Sequence, residues 1–134
     1  MEMKITFPGG KKVNAEMDGV VFPTDQPVNG GGEGSAPSPY SYFLASLGTC
    51  AGIYALSFCQ QRGIATEGMS LTQRMEFTMS EDGKSRLAKV AIVIELPPGF
   101  PDKYRNAIIK TAELCAVKKA IMDPPEFVIT TSMA

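Results

Sequence analysis

Three cysteines carry most of the chemistry this chain can offer, because it contains no histidine. Cys50 lies in the run Ser-Pro-Tyr-Ser-Tyr-Phe-Leu-Ala-Ser-Leu-Gly-Thr-Cys-Ala-Gly, residues 38–52. Cys115 lies in Glu-Leu-Cys-Ala-Val-Lys-Lys-Ala-Ile, residues 113–121. Two thiols on two separate helices can serve as a nucleophile and the partner that resolves it, cycling through a sulfenic acid and a disulfide. A plainer reading stands beside that one, since free cysteine is among the most buried residue types and often only fills space. Cys50 falls mid-helix, away from the helix N-terminal field that lowers a thiol pKa, so its activation calls for a cation brought from elsewhere. Cys115 has Lys118 and Lys119 at i+3 and i+4, on its own face. Those lysines favour a thiolate or simply suit the end of a helix. Cys59 follows Cys50 on the same helix, faces the opposite way and lies roughly 13 Å further along the axis, so it reads as structural.

The missing histidine also removes Ser-His-Asp and Cys-His triads and most zinc ligand sets. No cysteines stand in CxxC spacing and there is no GxxxxGK[ST] phosphate loop, so neither metal nor cofactor is expected. The chain has 134 residues, 44% hydrophobic and 20% charged, which suits one packed domain over residues 1–134. A net charge of -1 gives no electrostatic reason to expect nucleic acid or an anionic membrane as partner. The first ten residues hold no signal-like apolar run, and the expectation is a cytoplasmic protein with reduced thiols.

The elements that must position the thiols can be read from periodicity. Residues 3–7 and 12–17 alternate apolar and polar, with turn signals at Pro8-Gly9-Gly10 and Asp18-Gly19, and residues 20–22 suit a third short strand. Residues 23–37, rich in glycine and proline, form a long loop, either functional or a mobile connector. Ser38-Pro39 is a good helix start and Gly63 a natural stop. The helix between them carries no charge from Pro39 to Gln61, about the length that spans a bilayer. Its serines, tyrosines, glycines and glutamines favour a helix buried in a protein core or a dimer instead. Gly48, Ala51, Gly52 and Ala55 form a small-residue stripe along it. Met69, Leu71, Met75, Phe77 and Met79 alternate with polar residues, broken only by Gln73, and predict a half-buried strand. Residues 86–96 return as its hairpin partner. A second helix is predicted from Pro101-Asp102 to Asp123, and a last strand over residues 126–131. The order predicts an α+β fold with mostly antiparallel sheet.

Two segments resemble the signatures of the OsmC/Ohr family of thiol-dependent peroxidases. One is Gly34-Ser35-Ala36-Pro37-Ser38-Pro39-Tyr40 with Leu47-Gly48-Thr49-Cys50; the other is Cys115-Ala116-Val117-Lys118-Lys119-Ala120-Ile121. The resemblance implies an intertwined homodimer with two central helices and sites at the subunit interface. It implies that Cys50 attacks the peroxide bond of an organic hydroperoxide, that Cys115 closes a disulfide with the resulting sulfenic acid, and that a dithiol reduces it. An apolar pocket is implied too, for which Tyr40, Phe43, Leu47 and the methionines of 69–79 are candidates.

The chain departs from that pattern where the family tunes its thiols. The family's N-terminal arginine has no counterpart, since the first arginine is Arg62. The glutamate before the first cysteine is replaced by Tyr40 and Ser41, leaving Glu33 as the nearest upstream acid. The proline after the second cysteine is Ala116, and a later histidine is Lys118. A cation among Lys11, Lys12, Arg74 and Arg86, contributed across the dimer, is the expected substitute. The alternative to a peroxidase is a non-catalytic protein on the same scaffold that binds a small apolar ligand or senses redox state at the dimer interface.

Overall fold

A computed structural model describes all 134 residues. The chain is α+β, with two antiparallel sheets and three α-helices, and divides into two compact units, Met1–Ala45 and Ser46–Ala134.

In the first unit β1 (Lys4–Gly9), β2 (Lys12–Met17) and β3 (Val20–Thr24) form an antiparallel sheet in sequence order. Asp18 and Gly19 both take positive φ, 50° and 78°, which gives the two-residue turn that matches strand twist and sets Met17 opposite Val20.

The loop after β3 is folded around a carboxylate. Asp25 is 1% exposed. Its Oδ1 accepts the Gln26 N–H at 2.7 Å. Its Oδ2 accepts the Ser35 hydroxyl at 2.6 Å and the N–H groups of Ser35 and Glu33 at 3.1 and 3.3 Å. Gly32 packs so close that a Cβ there would lie 2.1 Å from the Gln26 carbonyl oxygen and 2.7 Å from Asp25 Oδ1. The glycine run therefore answers a packing requirement.

The hydrogen bonds from the Ser35 hydroxyl and amide, against a smaller opposing effect of burial and with help from the Gln26 and Glu33 amides, hold the Asp25 carboxyl down at about 2. An unfolded aspartate titrates near pH 3.9. Because the folded value is the lower one, this carboxylate's stabilisation is full above about pH 4 and is lost as the pH falls towards about 2. Acid unfolding of the wild type should show that loss, and the difference between wild type and Asp25→Asn in urea midpoint should shrink over the same interval. A difference that stays constant from pH 5 to pH 2 would contradict the assignment.

Helix α1 (Pro39–Gln61) starts where Ser38 caps it, its hydroxyl accepting the Ser41 N–H at 3.2 Å. It ends at Gly63 (φ 65°), with Gly63 N–H to the Gln60 carbonyl and Ile64 N–H to the Cys59 carbonyl, a paired C-terminal closure.

In the second unit β4 (Ser70–Met79) and β5 (Ser85–Glu95) form the expected long hairpin, with a bulge where Glu76 faces Lys89 and Phe77 faces Leu87. The α1 core residues Ala55, Phe58 and Cys59 pack with Ile108, and Ile94, Leu96, Phe100 and Tyr104 close over them. Burying Phe58 and Ile108 stabilises the unit by about 1.5–3 kcal/mol each. Gln73, the polar break in the β4 pattern, meets Gly48 of α1: a Cβ on that glycine would lie 2.5 Å from Gln73 Oε1. Two irregularities of the sequence thus explain one another.

Two expectations fail in this unit. The second helix is not continuous. It is α2 (Arg105–Ala112) and α3 (Ala116–Met122), separated at Cys115, whose φ of -46° and ψ of 126° leave the helical region. The predicted strand over 126–131 has no ladder partner within the chain, and Phe127 and Ile129 are 82% and 94% exposed. A strand is defined by an edge to pair with, and this segment reaches none.

Candidate active site

The break between α2 and α3 builds the site. The Leu114 N–H bonds the Thr111 carbonyl and the Cys115 N–H bonds the Ala112 carbonyl, so α2 tightens and stops. Cys115 then caps α3, its Sγ accepting the Lys118 N–H at 3.5 Å. It is buried, while Cys50 on α1 is half-buried.

The two thiols, both in the reduced form, lie close enough to shift each other's titration. Partial burial pushes the Cys50 thiol up. The influence of Cys115 and, after it, of the Val117 and Ala116 amides outweighs burial and brings it below the ordinary thiol value. Cys115 moves the other way: burial pushes it up first, and its bond to Cys50 adds to that, against the Lys118 and Val117 amides. The first proton therefore leaves Cys50, and Cys115 keeps its own. Two thiols whose acidities shift in opposite directions titrate as a pair.

Within one chain, the shifts of the two thiols come from burial, from each other and from the nearby amides of residues 116–118. Lys118 acts through its backbone. Arg62 lies with its guanidinium 3.7 Å from the Phe58 ring centre and 5.4 Å from that of Tyr104, and donates to the Phe58 carbonyl at 3.2 Å. Cys59 is fully buried near the Met69 sulfur, and burial pushes its thiol up against a smaller pull from Arg62, which fits its structural reading.

Of the other predicted residues, Leu47 is buried on α1. Glu33 pairs with Lys12 at 2.7 Å. The Ser41 hydroxyl shares a hydrogen bond with that of Ser38 at the helix start, and Tyr40 packs against Phe43 with ring centres 5.4 Å apart. A groove of about 310 Å³ runs along α1, lined by Ile53, Tyr54, Ser57, Gln61 and Thr111. Sequence reasoning missed Asp25 and the Ala116 and Val117 amides. Periodicity carries no signal for a loop carboxylate or for a main-chain donor.

Comparison with known proteins supports the frame around these thiols. No curated protein matches the chain in sequence. Solved structures do match in fold. An organic hydroperoxide resistance protein OsmC from Legionella pneumophila is 23% identical with a TM-score of 0.62, over 90% of this chain and 89% of that one. An OsmC-like protein from Mycoplasma pneumoniae is 13% identical with a TM-score of 0.70, over 92% and 87%. The organic hydroperoxide resistance protein OhrB of Bacillus subtilis is 20% identical with a TM-score of 0.58, over 92% and 93%. The family model described as OsmC-like protein matches residues 32–130, a span that contains both Cys50 and Cys115. With the sheets, the helices and the sequence model in agreement over most of its length, the chain belongs to the OsmC-like protein family.

Proposed function

We propose that the protein reduces organic hydroperoxides with Cys50 as the attacking thiolate and Cys115 as the resolving thiol. The observation that carries this reading is the placing of Cys50 on α1 beside Cys115 at the α2–α3 break, where each shifts the other's titration and Cys50 is the more acidic member. In the first step the Cys50 thiolate attacks the distal peroxide oxygen. An S–O bond forms, the O–O bond breaks, and the alkoxide leaves and takes a proton from water to become the alcohol. The Cys115 sulfur then attacks the sulfenic acid, losing its proton as the hydroxyl departs as water, and a disulfide results. A dithiol reductant restores both thiols by exchange and leaves as its own cyclic disulfide. The cytoplasm, where thiols stay reduced, is the compartment this cycle fits.

The working unit in this reading is a homodimer. A homodimer of this kind needs apolar surface to bury. Exposed Phe7, Val20, Ile53 and Phe77 and the unpaired apolar segment 126–131 supply the surface such an interface covers. Light scattering is expected to return twice the chain mass; a stable monomer at micromolar concentration would contradict it.

Consumption of a bulky tertiary hydroperoxide, with a dithiol and then a monothiol as reductant, tests the function. Turnover that prefers the dithiol supports it. No turnover with either would leave the small-ligand alternative, for which the α1 groove is the place to look.

A further inference from the structure

We infer that the groove between α1 and α2 seats the hydrocarbon chain of the substrate, so that unbranched hydroperoxides are favoured and Ser57 sets how much of the chain is held. The inference rests on reading Cys50 as the reacting thiol.

Both walls of the groove lead to a thiol. One wall is α1, which contributes Ile53, Tyr54, Ser57 and Gln61. These follow Cys50 at i+3, i+4, i+7 and i+11. At 100° per residue they fall within about 60° of the line through Cys50, so one helix face carries both the thiol and the groove. That face extends about 16 Å from Cys50 to Gln61. The other wall is Thr111, near the end of α2 and four residues before Cys115. The chain keeps turning between those two, with the Leu114 N–H on the Thr111 carbonyl and the Cys115 N–H on the Ala112 carbonyl. The groove therefore opens one turn from each cysteine and runs away from both.

Its lining decides what fits. No lining residue is charged, so nothing there answers an ionic ligand. The Thr111 hydroxyl is already spent on the Ala107 carbonyl at 2.9 Å. At about 310 Å³ the groove stands at the small end of ligand sites, with room for one chain. Ser57 is half-buried midway along the α1 wall, and its small side chain keeps the middle open. With the peroxide group at Cys50, an unbranched tail runs past Ser57 towards Gln61, whereas a compact tertiary hydroperoxide ends before it. Contacts to the tail are the same before and during O–O cleavage, so they lower KM and leave kcat in place.

The test measures kcat and KM of the full-length protein with n-butyl, n-hexyl and n-octyl hydroperoxide beside tert-butyl hydroperoxide. Wild type, Ser57→Ala and Ser57→Leu are compared. In wild type kcat/KM should rise about two- to fourfold per methylene, through KM. Ser57→Leu should lose about tenfold on the octyl substrate and stay within roughly twofold on the tert-butyl one. Ser57→Ala, which keeps the room, should follow wild type. A chain-length series that is flat in wild type, or as steep in Ser57→Leu as in wild type, overturns the inference. So does a change of mass by light scattering in Ser57→Leu, which would make the groove a contact between copies.

Titration of wild type with 1-octanol, the alcohol the octyl substrate leaves, needs neither turnover nor a folded variant. The amide signals of Ser57 and Thr111 should move together, and further than with 1-butanol. Unmoved signals overturn the inference. Were no hydroperoxide consumed, the proposed function would fail and this titration would still decide whether the groove holds a chain.

Discussion

A Cys50→Ser variant is expected to lose hydroperoxide turnover by a factor on the order of 10³ or more while remaining folded, as removing a nucleophile removes covalent catalysis outright. The site makes the contrast sharp. The Ala116 and Val117 amides and the Cys115 S–H favour a negative charge on a sulfur that releases its proton readily. A serine hydroxyl at the same place keeps its proton at any workable pH, so the donors have nothing to stabilise. The half-buried position on α1 tolerates the smaller polar side chain, which can bond the carbonyl one turn back. Circular dichroism and light scattering should therefore match wild type. Turnover within tenfold of wild type in that variant would move the chemistry to another residue.

Cys115→Ser should behave differently, and the difference separates the two roles. The first oxidation survives, because Cys50 keeps its two amide donors. About one equivalent of hydroperoxide should be consumed quickly, and the product should be Cys50 sulfenic acid, heavier by about 16 daltons. Without a resolving thiol the cycle waits for external thiol to attack that species directly, so dithiol-driven turnover should fall by about a hundredfold or more. Excess hydroperoxide should then carry Cys50 on to the irreversible sulfinic acid. Rapid oxidation of Cys115 in Cys50→Ser, with none of Cys50 in Cys115→Ser, would reverse the assignment.

The parts of the fold governed by local rules were legible in the sequence. Ser38 and Gly63 mark the ends of α1 through their own chemistry, and the alternation from Met69 onward marks β4. The break at Cys115 was not legible from periodicity. Residues 105–122 contain neither glycine nor proline, and Tyr104, Ile108, Cys115 and Lys119 keep helical spacing straight across the interruption. The one available signal was indirect: the resembling motif has proline at position 116, which marks a helix start. Taking the replacement by alanine as loss of a feature hid that the helix start persists. Asp25 was invisible because its partners, Ser35, Glu33 and Gln26, follow no period. The segment 126–131 alternates like a strand, but pairing depends on an edge that sequence alone does not locate.

The central claim is that Cys50 and Cys115 form one redox pair. Adding a single equivalent of organic hydroperoxide to the reduced protein and mapping the product by mass tests it most directly. The account predicts a loss of about two daltons, one disulfide linking the Cys50 and Cys115 peptides, and a free Cys59. A persistent sulfenic acid on Cys50, a disulfide that includes Cys59, or no oxidation at all would contradict it.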